Sequence, residues 1–271
     1  MMAPAPLAGR VALVTGVSRR IGIGPAIVRR LLDDGALVLA AGWSAHDAEQ
    51  PWGDDPGGTV ALLAALGGPA SALHYVEADL ADPSVPQALV ELAVEHFGGI
   101  DIVVANHARS GSQSLRQLTV KELDACWAVN ARGSILLAKA LMEQRQGVRP
   151  GGRLVLFTSG QHLGPMPDEL PYIVSKGAIH QMTASLSEAL VDSGITVNCI
   201  NPGPVDTGYL FGNEHTAVAR MFPAGRWGEP DDAARLVAFL VSDEGAWITG
   251  QIINSEGGWR RHAHVAPITP D

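Results

Sequence analysis

Short apolar runs alternate with longer stretches of helical periodicity along most of the chain. The runs 10–16 (RVALVTG), 36–42 (ALVLAAG), 73–80 (LHYVEADL), 99–106 (GIDIVVAN), 152–159 (GRLVLFTS) and 195–203 (ITVNCINPG) have strand length, and 250–258 (GQIINSEGG) reads as a seventh. Near-continuous apolarity, rather than strict alternation, marks strands buried on both faces. Between the runs, 24–35 places Ile27, Leu31 and Leu32 on one helix face, and helical segments are predicted near 84–97, 119–146, 171–192 and 230–241. Repeated β-α-β units close into a parallel sheet covered by helices, and right-handed crossovers make it doubly wound. The expected fold is α/β: a single doubly wound Rossmann-type domain over 1–271 with a mostly seven-stranded parallel sheet. No linker or repeat divides the chain. Two segments, 43–58 and 203–229, are rich in Gly and Pro and read as irregular; long loops in compact domains are often lids or binding loops.

Composition adds exclusions. With 46% hydrophobic and 17% charged residues, the chain is globular. A formal net charge of −9 argues against a nucleic-acid partner. The apolar runs are too short to span a membrane, and the N-terminal MMAPAPLAGR lacks a basic region followed by an apolar one, so a cytoplasmic protein is expected. Cys126 and Cys199 sit in apolar contexts and read as inert core thiols. The nine histidines show no metal-ligand spacing, and no metal is expected.

Two patterns carry chemistry. TGVSRRIGIG (15–24) lies between the first strand and the first helix, where glycines let backbone approach a pyrophosphate and the helix N-terminus favours an anion. YIVSK (172–176) places Tyr172 and Lys176 four residues apart, on one helix face. A nearby ammonium favours the phenolate and draws a tyrosine pKa of about 10 toward working pH.

With these motifs in this order, the chain resembles the short-chain dehydrogenases/reductases, and within them the 3-oxoacyl-acyl-carrier-protein reductases. The likeness runs from about Val11 to Gly258. Gly16, Gly22 and Gly24 match the family's first turn, with Gly24 eleven residues before Gly35, although two extra residues separate Gly16 from Gly22 and the insertion carries Arg19 and Arg20. Ser159 stands thirteen residues before Tyr172, as the family's substrate-orienting serine does. Asn130 in AVNARG matches the asparagine of the proton relay. NPGPVDT (201–207) resembles the segment that grips the nicotinamide, and GQIINSEGG the last strand. The resemblance implies Asn130, Ser159, Tyr172 and Lys176 as catalytic residues. It implies Gly16, Ser18, Arg19, Arg20, Gly22, Ile23, Asp79, Asn106, Tyr172, Lys176, Pro202, Gly203, Val205 and Thr207 as cofactor contacts. The second strand ends at Gly42 with no carboxylate to meet a ribose hydroxyl, and Arg19 or Arg20 suits a 2′-phosphate, so NADP(H) is favoured over NAD(H). The family's Asn-Asn-Ala-Gly reads Ala105-Asn106-His107-Ala108 here; His107 and His162 are candidate substrate contacts.

The implied activity is hydride transfer between nicotinamide and a small carbonyl or secondary alcohol. Residues 208–228 form the expected lid, with Leu210, Phe211, Met221 and Phe222 as an apolar wall. The tail 259–271 and the long helices are expected at contacts of a homo-oligomer, a tetramer or dimer. A non-catalytic NADP(H) sensor or scaffold is the alternative, disfavoured by the complete Ser159–Tyr172–Lys176 set. An enoyl reductase is disfavoured by the four-residue Tyr–Lys spacing.

Overall fold

The computed structural model describes residues 5–145 and 151–261. Seven strands, β1 (Val11–Thr15), β2 (Leu37–Gly42), β3 (Leu73–Glu77), β4 (Ile102–Ala105), β5 (Gly152–Phe157), β6 (Ile195–Asn201) and β7 (Ile252–Asn254), form one sheet in the order β3-β2-β1-β4-β5-β6-β7. Every pairing is parallel. This is the predicted doubly wound sheet. Its order reverses between β1 and β4, and the crevice beyond their carboxyl ends is where such sheets receive ligands.

The strands read as apolar runs because both faces are covered. Ala12 and Val14 of β1, with Val38 and Ala40 of β2, face one core, closed by α1 (Ile23–Asp33), α3 (Gly58–Leu66) and α9 (Pro230–Val241). Val11, Leu13, Leu39 and Ala41 face the other, closed by α4 (Val85–Phe97), α6 (Gly133–Gln144) and α7 (Leu170–Leu190). Successive residues thus serve opposite cores. Among the described residues no helix is long and apolar enough to cross a membrane. Cys126 and Cys199 are buried free thiols.

Three expectations need correction. The segment 43–58 is not irregular throughout: α2 (Ser44–Ala48) opens it, and α3 starts at its end. The α3 sequence GTVALLAAL is apolar on every side, so it has no polar stripe from which a period can be read. The predicted 119–146 helix is interrupted: α5 (Val120–Cys126) passes into a wide π-type turn over Trp127–Arg132 before α6 begins. Thirdly, 203–229 contains α8 (Gly212–Arg220), which lies in the expected lid. Of the tail, 262–271 lies outside the described residues, as does residue 146 of the predicted helix.

Leu137 is fully buried between α6 and the sheet, whereas Val60 on α3 is 82% exposed. Leu137→Ala is expected to cost about 3 kcal/mol and Val60→Ala less than about 0.5 kcal/mol in urea unfolding. Equal losses would mean that the two helix layers are not packed as described.

Candidate active site

The site begins with the turn after β1. Gly16 has φ +74°, and a Cβ there would lie 2.8 Å from Asn106 Nδ2 and 2.9 Å from the His107 backbone. A Cβ on Gly24 would overlap the Gly16 carbonyl oxygen. The two glycines therefore let the first turn of α1 sit directly on the end of β1. Asn106 secures the approach by donating from Nδ2 to the carbonyls of Thr15 (3.1 Å) and Gly16 (3.3 Å). Its amide group faces the turn, so Asn106 supports the cofactor loop rather than offering that group to a ligand. Gly22 closes the insertion, its N–H donating to the Arg19 carbonyl at 2.8 Å, and precedes Ile23, the first residue of α1. No side chain caps α1. Its N-terminal amides and positive dipole end make a seat for an anion.

His107 does not reach outward. Its Nε2 donates to the Val129 carbonyl (3.0 Å), which leaves Nδ1 to accept from the Thr15 hydroxyl (2.7 Å). Burial, and then the nearby Lys176 charge, push its pKa down to about 3. It is a neutral imidazole with both nitrogens engaged inside the fold, and neither is left for a substrate.

The insertion is matched, residue by residue, by the segment after β2. The Ser18 hydroxyl donates to Asp47. The Arg19 guanidinium lies 5.9 Å from the centre of the Trp52 ring. Arg20 donates from its backbone N–H (2.6 Å) and from Nε (2.7 Å) to the buried carboxylate of Asp55, and from Nη2 to the Pro56 carbonyl. Of the two arginines expected to meet a phosphate, Arg20 is thus committed to Asp55. Arg19 has no carboxylate partner among the described residues, and it borders the lid at Gly208, where a Cβ would stand 3.4 Å from Arg19 Nη2. At Gly42 a Cβ would overlap the Val17 carbonyl, so the insertion also covers the end of β2.

The catalytic candidates come together. Ser159 follows β5 closely, and its hydroxyl lies near enough to that of Tyr172, at the start of α7, to draw the phenol's pKa down. One helical turn on, Lys176 is only 2% exposed, donates from Nζ to the Phe157 carbonyl (2.9 Å), and stands 5.7 Å from the centre of the Tyr172 ring. Burial pushes Lys176 down to about 8 and Tyr172 up to about 12, with only the nearby Ser159 hydroxyl pulling the phenol the other way. Without cofactor, desolvation of the ring sets the phenol, and the Lys176 ammonium, bonded to the Phe157 carbonyl, does not lower it. Asn130 lies in the π-type turn, wholly buried. It donates to the Ser175 hydroxyl (2.8 Å) and the Arg109 carbonyl (3.0 Å), and accepts from the Arg109 N–H (2.7 Å). Ser175 in turn donates to the Tyr172 carbonyl at 2.7 Å. Sequence reading passed over Ser175, although it stands inside YIVSK.

The remaining candidates line the rim. Asp79 accepts from the Ala81 N–H at 2.9 Å, a turn contact that occupies one carboxylate oxygen. Pro202 and Gly203 follow β6, with Gly203 at φ +65° and its N–H donating to Asn201 Oδ1 (3.1 Å). Val205 pairs with Gly228, and Asp206 N–H donates to the Gly228 carbonyl (2.9 Å), so the two ends of the lid are pinned together beside Thr207. Phe222 is buried against Trp259 and belongs to the lid's base; Phe211 is 69% exposed. His162 packs against His180 of α7 with ring centres 4.4 Å apart and planes tilted by 45°. Two residues not predicted from sequence complete the mouth. Tyr209 of the lid interacts with Tyr172 and Glu169, and burial raises its pKa; burial and then Asp168 raise that of Glu169. Nothing in the sequence distinguished them from other lid and cap residues.

The sequence pattern of the family described as Enoyl-(Acyl carrier protein) reductase matches residues 16–260. An uncharacterized oxidoreductase, YjdA, of Bacillus subtilis is 39% identical over 253 residues, which cover 93% of this chain and 97% of that protein. An NADPH-dependent aldehyde reductase-like chloroplastic protein of Arabidopsis thaliana is 35% identical over 94% of this chain and 96% of its own length. Among solved structures, a short-chain dehydrogenase/reductase from Serratia marcescens superposes with a TM-score of 0.79 at 31% identity, covering 93% of this chain and 99% of that one.

The lysine gives a pH signature. Its folded value of about 8 lies below the ordinary 10.5. Between the two, the unfolded chain holds a proton that the native state has released, so stability rises with pH across that window. Relative to Lys176→Met, the unsubstituted protein is expected to gain on the order of 3 kcal/mol from pH 8 to 10.5 in urea unfolding without cofactor. The buried thiols of Cys126 and Cys199, pushed up to about 12 and about 11, act oppositely above pH 9, and because the Lys176 charge lowers both, the comparison is read most cleanly between pH 8 and 9. A pH-independent difference would mean that the Lys176 pKa is not lowered in the folded protein.

Proposed function

The chain belongs to the short-chain dehydrogenase/reductase family, and on that premise we propose that it is an NADP(H)-dependent oxidoreductase of carbonyls and secondary alcohols in which Tyr172 carries the proton. The observation that supports this most is the placing of two neighbouring hydroxyls, Ser159 and Tyr172, beside a buried lysine. Two donors at one place suit a single substrate oxygen, which Ser159 polarises and Tyr172 protonates. A phenol pushed up to about 12 holds its proton at neutral pH, the form that donates when a carbonyl is reduced. The matched family pattern carries an enoyl-reductase description, but these converging donors and the four-residue Tyr–Lys spacing favour a C=O group.

The residues fit a nicotinamide dinucleotide. The uncapped start of α1 and the close-packed glycines suit its pyrophosphate, and Lys176 has donors beyond the one used on Phe157 for a ribose. Pro202, Gly203, Val205 and Thr207 stand where the nicotinamide would be held. When bound, the nicotinamide supplies the hydride in reduction and accepts it in oxidation. Lys176 holds the ribose side of the site and adds positive charge near the phenol. Asn130 fixes Ser175, and through it the backbone of Tyr172. The preference for NADP(H) rests on Arg19 as the arginine without a carboxylate partner, on the absence of a carboxylate at the end of β2, and on the likeness to an NADPH-dependent relative. The exposed Trp127, Ile135 and Val174, on the long helical segments, favour a homo-oligomer.

Tyr172→Phe is expected to lower turnover of a carbonyl panel at least ~1000-fold while NADPH binding, followed by fluorescence, changes less than about twofold. Retained turnover would remove Tyr172 from the chemistry. Arg19→Ala is expected to weaken NADPH roughly 10-fold or more and NADH far less. Equal weakening of both would assign Arg19 to the pyrophosphate rather than the 2′-phosphate.

A further inference from the structure

Arg261 follows the last strand by seven residues, yet its guanidinium is seated in the site. It makes a two-pronged ion pair with Glu256, Nη1 donating to Oε2 at 2.8 Å and Nη2 to Oε1, and the side chains are only 14% and 10% exposed. The same Glu256 Oε1 accepts from Asn201 Nδ2 at 2.8 Å, and Asn201 Oδ1 accepts from the N–H of Gly203. The ion pair is therefore tied to the loop that carries Pro202, Gly203 and Val205. Its other side presses on the loop after Ser159. A Cβ on Gly160 would overlap Arg261 Nη2 and lie 3.2 Å from Cζ; one on Gly164 would lie 3.1 Å from Cδ. Gly160 and Gly164 thus make a hollow shaped to the arginine, closed by the N–H groups of Leu163 and Gly164 donating to the Gly160 carbonyl. The Trp259 ring lies 4.6 Å from the guanidinium centre, and Arg260 N–H donates to the Met221 carbonyl just after α8.

We propose that Arg261 is a positioning residue: it holds Gly160, and so the adjoining Ser159 hydroxyl, in fixed relation to the nicotinamide loop. This rests on the oxidoreductase reading above. Several features distinguish it from a surface ion pair. The pair is nearly dry, its geometry is bidentate, and removing one member leaves the other charge buried. Ser159 lies one bond beyond the contact, and catalytic groups lose up to about 100-fold in rate when displaced by an ångström.

A double-mutant cycle tests it, with kcat, KM, NADPH binding by fluorescence and the thermal midpoint read for each protein. Arg261→Ala is expected to lower kcat about 10- to 100-fold while the NADPH Kd stays within about threefold. Gly160→Ala, which keeps the charge pair but fills the hollow, is expected to lower kcat similarly. In the Arg261→Ala background the added methyl meets no guanidinium, so Gly160→Ala should cost less than about twofold more. Millimolar guanidinium should restore part of the activity of Arg261→Ala alone and none in the double variant. Multiplying losses, or a lower thermal midpoint with kcat unchanged, would overturn the proposal and reduce Arg261 to a structural staple. If Arg261→Ala does not fold, Arg261→Lys replaces it, keeping the charge without the fork; full kcat in that variant overturns the proposal. An unsubstituted protein that binds NADPH but reduces no carbonyl would overturn the oxidoreductase reading itself, and the positioning role with it.

Discussion

Everything in the site is referred to one close approach of backbone: the start of α1 against the end of β1. Because neither Gly16 nor Gly24 carries a Cβ, helix and strand meet at a separation that any side chain would prevent. That separation fixes where the uncapped helix N-terminus points, and brings Asn106 from β4 within reach of the Thr15 and Gly16 carbonyls. The sheet's switch point and the ligand crevice are thereby one place. His107 continues the same clamp: neutral and doubly bonded, it joins the β1 end to the Val129 carbonyl in the π-type turn.

Against that rigid corner, the chemistry is governed by desolvation. A lysine and a tyrosine on the same helix face are often described as an attractive pair in which the cation draws off the phenol's proton. Here both side chains have lost their water, and each is driven toward its neutral form: the ammonium to about 8, the phenol to about 12. The chain alone presents a protonated acid and a cation that is held only weakly. A nearby anion would steady the ammonium and raise the phenol further, so the two groups respond oppositely to the same charge.

The sheet was legible because strands covered on both faces leave long apolar runs, and the helices α1, α4 and α9 because each keeps a polar side. What escaped did so for identifiable reasons. Helix α3 is apolar all round and has no phase. The π-type turn leaves no mark, since its extra residue preserves helical composition. The YIVSK and Ser159 spacing did bring its side chains together, because a helix and a strand end translate residue number into position. The partners did not follow. Asp55 against Arg20, Asp47 against Ser18, and Arg261 against Gly160 join segments far apart in the chain, and no local periodicity records such encounters. Charge alone suggested that Arg20 was available; only the fold reveals its carboxylate.

The wide turn at Trp127–Arg132 bears on how this protein's length can change. One additional residue in a helix rotates all that follows by about 100°. On the upstream side, Glu122 and Cys126 of α5 face the Arg109 loop; downstream, Leu137 and Leu141 of α6 face the sheet. The wide turn between them sets the angle between those two faces. The surplus residue is thus a gearing between two halves of one rod. Loops elsewhere absorb insertions and deletions by bulging, but in this stretch the count of residues is itself the information that the fold preserves.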